Sequence, residues 1–317
     1  MGRRAELAVG ILNGAIGDYL RRSDNGLATE MTCVEAGAPM PLTPRALAKL
    51  QPRPTSKIVV LVHGLMCTEE HWQLADGSNY GSRLARDLGY TPLILRYNSG
   101  LAIADNGQAL ALLLEKLLAA YPLGVEEILL IGFSMGGLVI RGACHVAARE
   151  GHGWLERVAR AVYIGTPHRG APLERLARVG IELLRSIPDP YTQLIASLSD
   201  LRSDGLKDLG DADLRHEDRA RRRPALSLRD PLHPVPLLPE IEHYLAAGAL
   251  FAEPRLALLF GDVMVPVPSA SNGECDSARS LAWPPDHVKV FPGLGHMALA
   301  RHPDVYEQIK RWCQEER

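Results

Sequence analysis

Two runs, Lys57–Val62 (KIVVLV) and Glu127–Gly132 (EILLIG), carry apolar side chains on consecutive positions. Successive residues of a strand point to opposite faces, so such runs demand apolar cover on both sides. A sheet wrapped by helices on both faces meets that demand, whereas a sheet with one wet face does not. Thr91–Tyr97, Arg160–Gly165, Ile241–Leu250 and His287–Phe291 are further runs of strand character. Helical patterns lie between them. The clearest is the stripe of Leu110, Leu113, Leu114, Leu117, Leu118 and Tyr121, with Asp105 placed to cap its start and Gln108 three residues on. A last helix is expected over Asp304–Trp312, with His302 as a cap ahead of Pro303. Strand and helix in alternation predict an α/β fold with a mostly parallel, doubly wound sheet. Residues 5–21 read as one more helix docked on the body, within an N-terminal extension over residues 1–56. The whole chain, 1–317, reads as one domain.

Residues 171–239 break this rhythm. Asp200–Arg223 holds seven acidic and seven basic residues, and five prolines follow at 224, 231, 234, 236 and 239. A segment this long needs a purpose of its own. Leu173, Leu176, Ala177, Ile181 and Leu184 share one helical face. That face suits either a surface helix on the core or a cap over a ligand pocket, and the insertion is expected to be a cap. Arg219 and Arg221–Arg223 read as a solvated face balanced by nearby acids.

The balance of 35 Lys and Arg against 37 Asp and Glu leaves a net charge of -2, which argues against a nucleic-acid partner. No apolar run reaches the length of about 18 needed to span a bilayer. Five cysteines with no close pair suggest neither a disulfide framework nor a zinc site, and a cytoplasmic setting follows from that usage. The faint apolar stretch after Arg3 and Arg4, interrupted by Glu6, Asn13 and three glycines, keeps secretion as the other reading.

Gly132-Phe133-Ser134-Met135-Gly136 stands directly after a buried strand, and Leu138-Val139-Ile140 with Ala143 and Ala147 reads as the helix leading out. A serine at such a strand–turn–helix is lifted out of the sheet, provided that the residues two before and two after it are small. A serine hydroxyl is a weak nucleophile and needs a base within reach. His296 is the best placed of eleven histidines, on a turn after a late strand, whereas His287 lies at that strand's start. Asp262 is the candidate acid to orient it; Asp276 and Asp286 are its rivals. The order Ser134, Asp262, His296 is the order that this fold uses. Donors for an oxyanion are expected from the backbone N–H groups of Met135 and Leu65, the latter in the loop after KIVVLV, with His63 bracing that loop. His71 and Trp72 are expected to pack beneath it.

Together, VLVHGL, GFSMGGL, GTPHRGAP, GDVMVPVPSA and FPGLGHM resemble the α/β-hydrolase superfamily. Within it they look like bacterial lipase/esterase-type serine hydrolases, including the group related to inositol-deacylating lipases. The resemblance covers roughly residues 57–172 and 240–312. It implies a triad of Ser134, Asp262 and His296 with an oxyanion hole at Leu65 and Met135. It also implies that Thr166-Pro167-His168 shapes the pocket wall. Phe133 stands where relatives often carry a histidine. The expected activity is a cofactor-free, metal-free carboxylic ester hydrolase acting on a small-molecule ester with an apolar acyl chain. An acyltransferase or thioesterase with the same triad is the alternative, and a non-catalytic binding protein on this scaffold is a third reading.

Overall fold

The computed structural model describes residues 3–50, 53–168, 203–211, 214–219, 235–249, 281 and 283–315. Most of the expected cap, 171–239, lies outside them. The strands are β1 (Thr32–Glu35), β2 (Ala38–Met40), β3 (Lys57–Val62), β4 (Thr91–Arg96), β5 (Glu127–Phe133), β6 (Val158–Ile164), β7 (Glu242–Ala249) and β8 (Val288–Pro292). They form one sheet in the order β2-β1-β4-β3-β5-β6-β7-β8. From β4 to β8 every neighbouring pair is parallel, and β1 joins β4 antiparallel as half of a hairpin with β2.

The consecutive apolar runs are buried on both faces, as their pattern demands. Ile58, Val60 and Val62 of β3 join one core cluster with Ile128 and Leu130 of β5, while Val59 and Leu61 join the other with Leu129, Ile131 and Phe133. The first cluster is completed by α4 (Ile103–Ala120) and α5 (Met135–Glu150), through Leu110, Leu114, Leu138 and Val139. The second is completed by α3 (Tyr80–Leu88) and the C-terminal helix α7 (Pro303–Gln314), through Leu84, Ile309 and Trp312. Helix α3 starts on a reciprocal cap between Asn79 and Ser82 and ends at Gly89 in a left-handed conformation (φ +73°). The N-terminal helix, α1, runs over Arg3–Arg22, a single turn, α2, spans Pro44–Leu47, and α6 spans Asp204–Asp211. Among the described residues no helix is long and apolar enough to cross a membrane.

One cap differs from expectation. Helix α4 begins at Ile103, with Ala102 rather than Asp105 at its N-cap. Its first N–H, that of Ile103, is bound by the Asp208 carboxylate at 2.9 Å. A buried carboxylate from a distant segment satisfies the donor that a local Asp would otherwise take. The His302 cap forms as expected, its ring nitrogen accepting the Asp304 N–H at 3.3 Å.

Candidate active site

In a parallel sheet wound on both faces, loops after the carboxyl ends of the strands gather on one edge. Ser134, Leu65 and His296 all follow such ends, those of β5, β3 and β8. Asp286 lies at the opposite edge, where its backbone carbonyl accepts the Trp312 indole N–H at 3.2 Å. Asp262 and Asp276 lie outside the described residues.

Ser134 is the hinge between β5 and α5. Its backbone has φ +52° and ψ −124°, a conformation L residues rarely adopt. Such strain costs about 1–3 kcal/mol and persists only when the surroundings impose it. They do so here through two hydrogen bonds: Ser134 N–H to Ile164 O at 2.8 Å, and Gly137 N–H back to Ser134 O at 3.1 Å. The turn is possible because its flanks are glycine. A Cβ on Gly132 would sit 2.5 Å from Gly137 N, and one on Gly136 would sit 2.2 Å from Val62 O. Ser134 is 6% exposed, and Met135 begins α5, so its N–H points from a helix start where no i−4 carbonyl exists.

The loop after β3 closes on the same point. Gly64–Cys67 forms a turn, with Cys67 N–H to Gly64 O at 3.3 Å and Met66 at φ +59°. Met66 N–H is taken by the Ser99 hydroxyl at 3.0 Å. The N–H groups of Leu65 and Met135 have no acceptor among the described residues. His63 stacks on Tyr97 at 4.3 Å and faces Gly64 O through Nδ1 at 2.9 Å. Tyr97 donates its hydroxyl to His63 O at 2.7 Å. Burial pulls the His63 pKa down to about 4, so this ring is neutral and holds the loop rather than exchanging protons. Farther along, Arg96 binds Glu69 in a bidentate pair and pins the segment to β4.

His296 opens the short helical turn His296–Leu299 and is 4% exposed. Its ring packs on Phe133, the residue before Ser134, at 4.9 Å between centroids. Its Nδ1 and Cε1 both lie 3.1 Å from where a Cβ on Gly165 would sit, and Gly165 directly follows the Ile164 that holds Ser134. The imidazole thus packs against Phe133, which precedes Ser134, and beside Gly165, which follows the residue that binds the Ser134 N–H. Tyr80 fixes the segment behind it, donating to Leu299 O and His302 O, both at 2.9 Å. Phe133 also stacks on His71 at 4.3 Å, so two histidines share one aromatic ring. Arg301 donates to His71 O at 3.0 Å, and burial, with the Arg301 guanidinium beside it, holds His71 well below its ordinary pKa. Met297, beside His296, is one of the few exposed large apolar side chains.

The Thr-Pro-His segment leaves β6 next to this site. Thr166 lies against Gly137, and His168 turns inward to Arg141, whose guanidinium sits 3.2 Å from His168 Nδ1. Arg141 also donates to Val235 O. Burial lowers the Arg141 pKa to about 10, which leaves it charged at neutral pH, and keeps His168 neutral. A cavity of about 30 Å³ beside this pair is lined by Arg141, Cys144, Tyr163 and His243, and by none of the expected site residues. Among the described residues no group of three His, Cys, Asp or Glu side chains is placed to hold a metal ion.

The Alpha/beta hydrolase family matches residues 59–309. This chain belongs to that family. Among solved structures, the fold of this hydrolase-family chain is similar to that of Bacillus licheniformis lipase BlEst2 in its mature form. That likeness has a TM-score of 0.50 at 17% identity, covering 84% of this chain and 95% of that one. The propeptide form of the same lipase gives a TM-score of 0.52 at 18% identity, covering 84% of this chain and 52% of that one. No curated protein matches this sequence.

Sequence reasoning passed over Arg141 and Ser99. Arg141 carried a signal, since it is the one charge in the run Met135–Ala147. Ser99 carried only a topological one, a polar turn beyond the carboxyl end of a strand beside β3.

Proposed function

We propose that the chain is a carboxylic ester hydrolase acting through an acyl-enzyme. Ser134 Oγ attacks the ester carbonyl while His296 takes its proton. The carbonyl oxygen becomes an oxyanion, held by the N–H groups of Leu65 and Met135. The tetrahedral intermediate collapses, the C–O bond to the alcohol breaks, and His296 gives the proton to the departing alkoxide. Water then adds to the acyl-enzyme with His296 as base, and a second collapse frees the acid and restores Ser134. Asp262 stays ionised and orients the imidazole, stabilising the imidazolium. No step in this scheme requires a cofactor.

The observation that carries the reading is the strained conformation of Ser134 at a strand–helix elbow, with the His296 ring against its neighbour. Two backbone N–H groups without acceptors among the described residues flank the same point. The substrate in this reading is a small ester with an apolar acyl chain, supported by the exposed Met297 next to His296 and by the apolar sequence pattern of 173–184. Ser134→Ala should lower turnover of short p-nitrophenyl esters by about 10⁴-fold or more. Wild-type turnover in a pure Ser134→Ala sample would end the proposal. Product analysis with a competing alcohol separates hydrolysis from acyl transfer, and free acid is the expected product.

A further inference from the structure

Helix α1 precedes the segment matched by the family, which begins at residue 59. It nevertheless makes backbone contact with the turn that carries Leu65. Gly10, Gly14 and Gly17 lie at spacings of four and three, on one helical face. A Cβ on Gly14 would meet Met66 Cγ at 2.4 Å, Met66 N at 2.7 Å and Met66 Cα at 2.8 Å. A Cβ on Gly10 would meet Thr68 Cγ2 at 2.4 Å. The contact is reciprocal farther along, where a Cβ on Gly100 would meet Asn13 O at 2.0 Å.

Hydrogen bonds lock this contact. Ile16 departs from helical geometry (φ −138°, ψ 25°), which frees carbonyls around it. Gly14 O accepts the Ser203 hydroxyl at 2.7 Å, and Gly17 O accepts Asn98 Nδ2 at 2.9 Å. Asn98 Oδ1 in turn accepts Gly100 N–H at 3.1 Å, and Ser99 takes Met66 N–H at 3.0 Å. Asn13 ties the helix down from behind, donating to Val9 O and Leu27 O and accepting Thr29 N–H, at 2.8–2.9 Å.

A non-glycine residue at positive φ persists only where its surroundings dictate it. Met66 is such a residue, and it is gripped from two sides: by the α1 backbone at Gly14 and by the Ser99 hydroxyl. The Met66 N–H shares a peptide unit with the Leu65 carbonyl, and the Leu65 N–H stands one Cα before that unit, so a grip on Met66 sets the backbone on which the Leu65 N–H is aimed. We infer that α1 is a positioning element for the oxyanion hole, with Gly14 and Ser99 as positioning residues that fix the direction of the Leu65 N–H. This inference rests on the acyl-enzyme reading above.

The test uses the full chain with Gly14→Ala and, separately, Ser99→Ala. A Cβ at residue 14 pushes on the Met66 backbone, and loss of the hydroxyl at residue 99 frees the Met66 N–H. Each variant is expected to lose about tenfold or more in kcat on a short p-nitrophenyl ester, with KM within about twofold, because an oxyanion donor acts only as charge develops. Affinity for a trifluoromethyl ketone, which forms an oxyanion on Ser134, should fall by the same factor. Circular dichroism and the final stoichiometry of fluorophosphonate labelling should match wild type. Tyr19→Ala, an exposed change on the same helix, should leave all of these unaltered. Folded variants with wild-type kcat and ketone affinity would overturn the inference, as would a kcat loss with unchanged ketone affinity. If Gly14→Ala does not fold, Ser99→Ala decides by the same criteria. Wild-type turnover in Ser134→Ala is a separate result, and it would remove the catalytic reading itself.

Discussion

Gly136→Ala tests the elbow by stability and activity together. The new methyl would lie 2.2 Å from Val62 O and 2.5 Å from His63 O. Carbon–oxygen contacts relax near about 3.3 Å, so α5 must withdraw from the end of β3 by roughly 1 Å. Both opposing atoms are backbone, Val62 paired into the sheet and His63 O held by the Tyr97 hydroxyl, and neither can rotate away. Overpacking of this kind costs about 3 kcal/mol, the upper end of its usual range. With unfolding entropy of about 2.1 cal/mol/K per residue over 317 residues, that is a fall of about 5 °C in Tm. The withdrawal also carries the Met135 N–H away from its place, so ester turnover should fall in the same variant. Gly142→Ala on the same helix is the matched comparison. Its methyl would find Gly107 Cα at 3.6 Å and Leu214 O at 3.7 Å, which is ordinary contact. Alanine in a helix interior gains about 0.5–1 kcal/mol over glycine, so this variant should be as stable as wild type or more so. Thermal and urea unfolding of the pair give the answer. Equal stability of Gly136→Ala and wild type, or equal losses in both variants, would refute the reasoning.

The remaining expectations concern the histidines and the arginine around the site. His63 and His243 are both held down to about 4 by burial, from an ordinary 6.5. The unfolded chain therefore binds protons below about pH 6.5 that the folded chain refuses until about pH 4, and stability should fall across that window by about 3 kcal/mol for each. Urea midpoints that are flat between pH 7 and pH 4.5 would contradict this. Phe133→Ala removes the ring shared by His71 and His296 and should cost about 3–5 kcal/mol, with a loss of turnover beyond the loss of folded protein. Phe133→His keeps a flat ring there and should retain activity, read on the same ester. Arg141→Ala leaves His168 and the Val235 carbonyl without their donor and opens a void, which should cost about 3 kcal/mol in urea unfolding.

What could be read from sequence follows from how local its cause is. Strands β3 and β5 were legible because runs buried on both faces leave no polar position to obscure them. The elbow was legible because its steric demands fall on Gly132 and Gly136, two residues either side of Ser134. The hairpin β1–β2 was not, since Ala38-Pro39-Met40 has neither alternation nor length, and its proline suits only an edge. Its one local mark is the turn at Ala36 and Gly37, both at positive φ. The start of α4 was misplaced because the Asp208 carboxylate that settles it is a hundred residues away, and no periodicity reports such a contact. The glycines of α1 read as breaks in a weak apolar stretch. Their use, close approach to Met66 and Asn98, is a property of the tertiary contact alone. Asp262 lies outside the described residues, and chain order carries its proposed role.

The most direct measurement is peptide mapping by mass spectrometry after reaction of the folded wild-type chain with a fluorophosphonate, alongside His296→Ala. One adduct per chain on Ser134, formed far more slowly in His296→Ala, is the expected result. An adduct on another residue, no adduct in folded protein, or labelling of Ser134 at an unchanged rate without His296 would contradict the account.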